Sequence, residues 1–181
     1  MSHRGLVAWY ADRPFSKTES DMALFYHGTA WAFDQFADCP LFFTPDFAAA
    51  AAYARDCRVP ADGPHGTPVV LSVELDTSDF VELDRAAFLD LFEIDDERED
   101  SGCWEALSNY AWEKGEEGYS GVLVRGVYDY CGGEGDRRSE RPYDQAVVVT
   151  PSLLKIVARV PVSSTELGWV PCPAALVDGK I

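Results

Sequence analysis

The chain has 181 residues, enough for one domain with a sizeable core, and its 47% hydrophobic and 25% charged content is that of a folded protein. Its formal net charge of -16 argues against a grip on nucleic-acid backbone, which draws its strength from Lys and Arg displacing counterions. A basic partner, acidic or salty surroundings, or solubility alone would each account for such a charge.

Five cysteines, an odd number without a C-x-x-C pair, and only three histidines indicate neither a disulfide framework nor a zinc site. Free thiols fit a reducing cytoplasm. The first fifteen residues lack the apolar core of a signal peptide, and no run approaches the length of a membrane span. These features predict a soluble cytoplasmic protein with no metal and no membrane attachment.

Residues 1–22 carry no period. Residues 23–26 (ALFY) form a short apolar run suited to a buried strand, closed by His27-Gly28-Thr29. Thr44-Pro45-Asp46 predicts a helix start, with Thr44 as N-cap, Pro45 at the first helical position and Asp46 complementing the dipole. The helix continues through Arg55, with Phe47, Ala51 and Ala54 on one side. Its five consecutive alanines allow close approach to a sheet.

Residues 58–68, rich in Pro and Gly, read as a loop, and 69–75 (VVLSVEL) as a β-branched strand. Residues 85–92 read as a helix. The run DDERED at 95–100 is expected to be a solvated acidic loop, since it lacks the glycine and ligand spacing of a calcium loop. Ser101 is placed as the cap of a helix through Lys114, with Trp104, Leu107 and Ala111 at core spacing.

Strand character returns at 121–128 (GVLVRGVY) and, after a polar loop over 129–142, at 145–149. A turn at Thr150-Pro151 leads to a last strand at 155–160. The remainder, 161–181, holds three prolines and reads as an irregular wrap. No repeat or linker divides the chain, so 1–181 is one domain. The class is α+β, and the short connections near the end favour antiparallel pairing.

The stretch FYHGTAWAFDQF at 25–36, followed by FFTPDFAAAAAYA at 42–54, asks for more than a packed core. A lone His at a strand end is ordinarily a satisfied structural residue. Here Gly28 would let another molecule approach the backbone, Thr29 adds a hydroxyl, and the alanine helix would leave a narrow slot. Phe42 and Tyr53 are the aromatics placed to line that slot, between which a flat ring could stack while a planar amide pairs with Gly28.

In this order the residues resemble the ADP-ribosyltransferase superfamily. The match is to its His-Tyr-Glu branch, shared by the diphtheria-toxin and poly-ADP-ribose-polymerase groups, and within that to small bacterial and phage domains. The resemblance rests on YHGT, on FFTPD with the helix ending Tyr-Ala, on the strands at 69–75 and 119–124 (YSGVLV), and on DQAVVVTPSLLKI at 144–156. It covers roughly residues 23–157. No single motif is specific; their order and spacing carry the match.

The resemblance implies split antiparallel β-sheets with flanking helices and NAD as substrate, without a metal. It implies that His27 binds a ribose hydroxyl, that the Gly28 backbone holds the nicotinamide amide, and that Tyr53 stacks on the nicotinamide ring. Phe42 covers the opposite face, lacking the hydroxyl often found there. A serine that contacts the amide in polymerase-type members is Ala50 here.

The third family position departs from the pattern. The family has Glu, and this chain has Gln145 preceded by Asp144. A glutamine can still hydrogen-bond a ribose, but it cannot take a proton from an acceptor at neutral pH. In a strand the two neighbours face opposite sides, so only one points into the cleft. Alignment with the strand selects Gln145; the alternative is Asp144.

The resemblance therefore implies a mono-ADP-ribosyltransferase acting on a macromolecule, a toxin or phage effector. The same residues would serve an NAD glycohydrolase, and the missing Glu suits an inactive module for a basic partner. A protein acceptor fits the acidic charge better than nucleic acid does. Arg137, Arg138 and Arg141 form a small basic group in the loop where the family places acceptor recognition.

Overall fold

The computed structural model describes residues 22–31, 34–56, 65–97, 102–128 and 142–162. Strand β1 (Met22–Trp31) contains the predicted ALFY run and extends past His27-Gly28-Thr29. It pairs antiparallel with β3 (His65–Asp76), Phe25 opposite Val73 and Gly28 opposite Val70. Strand β7 (Ile156–Pro161) pairs antiparallel with the other edge of β3, completing a three-stranded sheet in the order β1-β3-β7.

The second sheet has the order β2-β6-β5-β4, from β2 (Leu41–Phe43), β4 (Val81–Asp84), β5 (Gly121–Val127) and β6 (Tyr143–Val148). Strands β2, β6 and β5 are antiparallel, whereas β4 and β5 run parallel. The parallel pair follows from the connection between them. Helices α2 (Arg85–Leu91) and α3 (Gly102–Glu116) carry the chain back to the start of the sheet, the crossover a parallel pair requires.

The molecule is thus α+β, with two sheets and three helices. The two sheets face each other across Phe25, Phe36, Phe43, Leu71, Leu123 and Val148. A second core lies between the second sheet and α2 and α3, built on Phe88, Leu107, Val122, Val124 and Val147. The alternation of side chains along β6 feeds both: Ala146 and Val148 enter the first core, Val147 the second. None of the described helices is long and apolar enough to cross a membrane.

Helix α1 (Phe47–Asp56) covers the outer face of the first sheet through Ala50, Ala51 and Ala54, packed on Val70 and Val162. Its cap differs from expectation. Asp46 Oδ1 accepts from the amides of Ala48 at 2.8 Å and Ala49 at 3.1 Å, so Asp46 is the N-cap and Pro45 lies outside the helix. Thr44 stays with the strand: its amide and carbonyl both bond Tyr26, bridging β2 to β1, and its Oγ1 accepts from the Asp46 amide at 3.0 Å, too early to cap the helix.

Two other expectations change, and two strands were not foreseen. Strands β6 and β7 are consecutive but belong to different sheets, because a short 3-10 turn over Pro151–Leu153 redirects the chain toward β3. The acidic run is not uniformly solvated. The Glu97 side chain is fully buried, its carboxylate held by Arg85 Nε and NH2 at 2.8 Å each and by the Tyr128 amide at 2.7 Å. Strands β2 and β4, three and four residues long, are too short for a periodicity to register. Ser101, most of the 129–142 loop and the chain beyond residue 162 lie outside the described residues.

Candidate functional site

The expected residues start at the edge of the first sheet. Alternation along β1 turns Phe25, His27 and Thr29 toward the inter-sheet core, and Tyr26 and Gly28 toward α1. The Gly28 position is fixed by helix packing. A Cβ at residue 28 would collide with the Ala50 carbonyl oxygen and stand 2.7 Å from the Ala54 amide nitrogen. The alanines therefore leave no slot between strand and helix; they are spent on backbone-to-backbone contact. Tyr53, half-buried, lies between these two contact points on α1.

The backbone of Gly28 is available in another direction. Tyr26 spends both backbone groups on Thr44, away from β3, so the pleat aims those of Gly28, two residues on, at the same edge. Strand β2 pairs with β1 there only at Tyr26. An amide and carbonyl pair on an edge strand, taken up by none of the described residues, can bind a planar carboxamide as a further strand would. The expectation for Gly28 thus keeps its basis while the slot beside it does not.

His27 is bound to the second sheet. Its Nδ1 lies 2.9 Å from the Phe42 carbonyl oxygen, which can only accept, so Nδ1 carries the proton. In the neutral ring Nε2 then holds a lone pair, able to accept from a hydroxyl. Phe36 meets the imidazole edge to face at 5.8 Å and Phe43 lies tilted at 5.4 Å. Desolvation by these surroundings lowers the His27 pKa below its ordinary 6.5, against the smaller opposing effect of the Phe42 bond. Thr29, two residues on, is buried.

Phe42 and Gln145 share a face of the second sheet. Phe42 stands opposite Val147, two residues from Gln145, and packs edge to face on Trp104 at 6.1 Å. Gln145 is 3% exposed, and its Oε1 has no hydrogen-bond partner among the described residues. An unmatched buried acceptor costs on the order of 1–3 kcal/mol, which makes it an outlier that asks for a donor.

Asp144 has a different setting. Its Oδ2 accepts from Arg125 NH1 at 2.7 Å and its Oδ1 from the Gly126 amide at 3.1 Å. Arg125 also binds Glu82 through Nε at 3.0 Å. The two neighbours are thus separated as strand geometry requires: Asp144 is tied to β5 and partly exposed, and Gln145 is enclosed beside Phe42's face.

Sequence reasoning passed over Arg125 and Gly126. Their signal was present, since Arg-Gly interrupts an apolar strand in GVLVRGVY, a pattern that marks a bulge. Among the described residues no group of His, Cys, Asp and Glu could hold a metal ion. Arg137, Arg138 and Arg141 lie outside the described residues. Comparison with protein-family models, curated proteins and solved structures finds no match to this chain.

Proposed function

We propose that the chain is an NAD-dependent mono-ADP-ribosyltransferase of the His-Tyr-Glu type, with Gln145 at the third position, acting on a macromolecular acceptor as a toxin or phage effector does. The observation that carries this reading is the His27 Nδ1–H bond to the Phe42 carbonyl, made beside the open backbone edge at Gly28. It joins three of the expected residues in one place and fixes the tautomer that a ribose hydroxyl needs. The two-sheet architecture, with α1 against the strand that bears His27, supports an ADP-ribosyltransferase-like fold.

In this reading the Gly28 edge holds the nicotinamide carboxamide, Tyr53 and Phe42 flank the ring, and Thr29 supports the same strand. His27 Nε2 accepts from a ribose hydroxyl, and Gln145 Oε1 from a second. The C–N glycosidic bond breaks with its electron pair leaving on nicotinamide, and the ribose carbon becomes oxocarbenium-like. A nucleophile of the acceptor then forms the new bond and releases its proton. The protein's contribution is to hold the substrate and to set dipoles where charge develops. A protein acceptor suits the charge of -16 better than nucleic acid.

Incubation with labelled NAD, alone and then with a cell lysate, tests the reading. A labelled macromolecule is the expected outcome. Nicotinamide release without lysate would assign water as acceptor and make the protein an NAD glycohydrolase. Neither result would leave a binding module for a basic partner, which the amide at position 145 and the acidic charge would suit.

A further inference from the structure

The pairing of β5 with β6 changes step beside Gln145. Val124 stands opposite Gln145 and Val127 opposite Tyr143, so Arg125 and Gly126 together face Asp144 alone. This is a β-bulge, and Gly126 adopts φ 68°, the left-handed conformation such a bulge needs. The amide that the bulge displaces is received by Asp144 Oδ1. The other carboxylate oxygen takes Arg125 NH1, while Glu82 on β4 holds the rest of the guanidinium.

We infer that Arg125 is a positioning residue for Gln145: by gripping Asp144 across the bulge it sets the orientation of β6 that keeps the Gln145 carboxamide inward, its Oε1 without a partner among the described residues. The logic is geometric. Residues 144 and 145 share one peptide unit and point to opposite faces, so a carboxylate fixed outward fixes the amide inward. A one-residue slip would exchange them and place a negative charge in the apolar surroundings that Gln145 occupies. Three strands are linked in this brace, from Glu82 on β4 through Arg125 on β5 to Asp144 on β6.

The effect on turnover rests on the NAD-cleaving reading above; the effect on the Gln145 side chain does not. Arg125 is half-exposed, so Arg125→Gln should fold with a melting temperature close to that of the parent. Its kcat for nicotinamide release should fall by on the order of tenfold, since small displacements of a site group cost rate, with KM little changed. Arg125→Lys, which keeps the link to Asp144, should recover part of that loss. Asp144→Asn combined with Arg125→Gln should be no worse than the poorer single variant.

The Gln145 side-chain amide resonances should shift in Arg125→Gln and move back toward the parent in Arg125→Lys. Losses that add in the double variant, or a kcat unaffected by Arg125→Gln, would overturn the inference. If the parent protein cleaves no NAD, the proposed function falls, and the resonances alone decide the brace. Unchanged Gln145 signals in Arg125→Gln would then overturn it.

Discussion

Gln145 and Asp144 are adjacent in the chain and opposite in circumstance, and that contrast gives the most discriminating experiment at the scale of single residues. Gln145→Ala should abolish most NAD cleavage, measured as nicotinamide release, because it deletes the buried acceptor on Phe42's face that has no partner among the described residues. Gln145→Glu should keep or raise that release, a carboxylate steadying an oxocarbenium ion better than an amide. Asp144→Asn acts only through the brace and should cost far less than Gln145→Ala. Activity lost at Asp144 and spared at Gln145 would reverse the assignment.

Two other residues give independent checks. Tyr53→Ala should weaken NAD binding by about 1–3 kcal/mol, the scale of a lost stacking partner, and Tyr53→Phe much less. Equal losses in calorimetry would point to the hydroxyl instead. His27 has its pKa lowered by desolvation, so the ring is neutral at pH 7 and stays neutral below its ordinary 6.5. NAD affinity should therefore hold as pH falls past 6.5 and drop only when the lower pKa is reached. His27→Ala should remove that drop along with the binding. The same shift makes a contribution to stability that is complete above 6.5 and declines as pH falls toward the folded-state value.

Among the elements, the contact of β1 with α1 is the tightest to probe. Gly28→Ala places a methyl group against the backbone of Ala50 and Ala54, and backbone cannot rotate aside. The helix must shift, at a cost of about 1–3 kcal/mol or more by the usual toll of overpacking. A urea midpoint unchanged from the parent would show that α1 docks less closely than this. The alanine run announced close packing in the sequence, since only small side chains allow it. What the run did not disclose is that the packing closes the space it had been expected to open.

Legibility elsewhere followed the same division between local and distant causes. Helix α3 and strands β3 and β5 were readable because their burial repeats within the element itself, as Leu107 and Ala111 do on α3. The cap of α1 was misplaced by two residues: the bridge with Tyr26, eighteen positions earlier, holds Thr44 in the strand, its hydroxyl reaches only the Asp46 amide, and Asp46 takes the amides of the helix itself. Glu97 sits in an acidic run that resembles any solvated loop, and its partner Arg85 lies twelve residues away. At the site, His27 does meet Phe42, but through the Phe42 carbonyl, while the ring expected to do the work packs on Trp104; the bulge at Arg125 and Gly126, which exists only through pairing with β6, was passed over.

At the scale of the whole molecule, acid should act through Glu97. Burial alone would raise its carboxyl, but Arg85 and the Tyr128 amide outweigh that, and the pKa lies below the ordinary 4.5. A depressed carboxylate contributes stability in full above its unfolded value and loses it as pH falls through the folded one. Glu97→Gln removes the charge that faces the one-third-exposed Arg85 guanidinium and leaves one oxygen to accept its bond, so it should cost about 1–3 kcal/mol at pH 7 in urea unfolding. The gap between parent and variant should narrow steadily below pH 4.5, and a gap constant down to pH 2 would contradict this origin of acid sensitivity.

The division of β6 and β7 between the two sheets bears on the order in which the protein can be made. Strand β6 is flanked by β2 and β5, and β7 borders β3, so both sheets recruit partners from residues 143–161. While a ribosome is still adding those residues, Phe42 and Phe43 have no strand to pair with in the second sheet, and Leu71 has no neighbour at β7. Contacts that join positions about a hundred residues apart form slowly, because a long loop must close before they repay it. The nascent chain must then carry an unpaired edge and exposed aromatic side chains until residues 143–161 have been made, and it is in that interval that a chaperone would have most to hold.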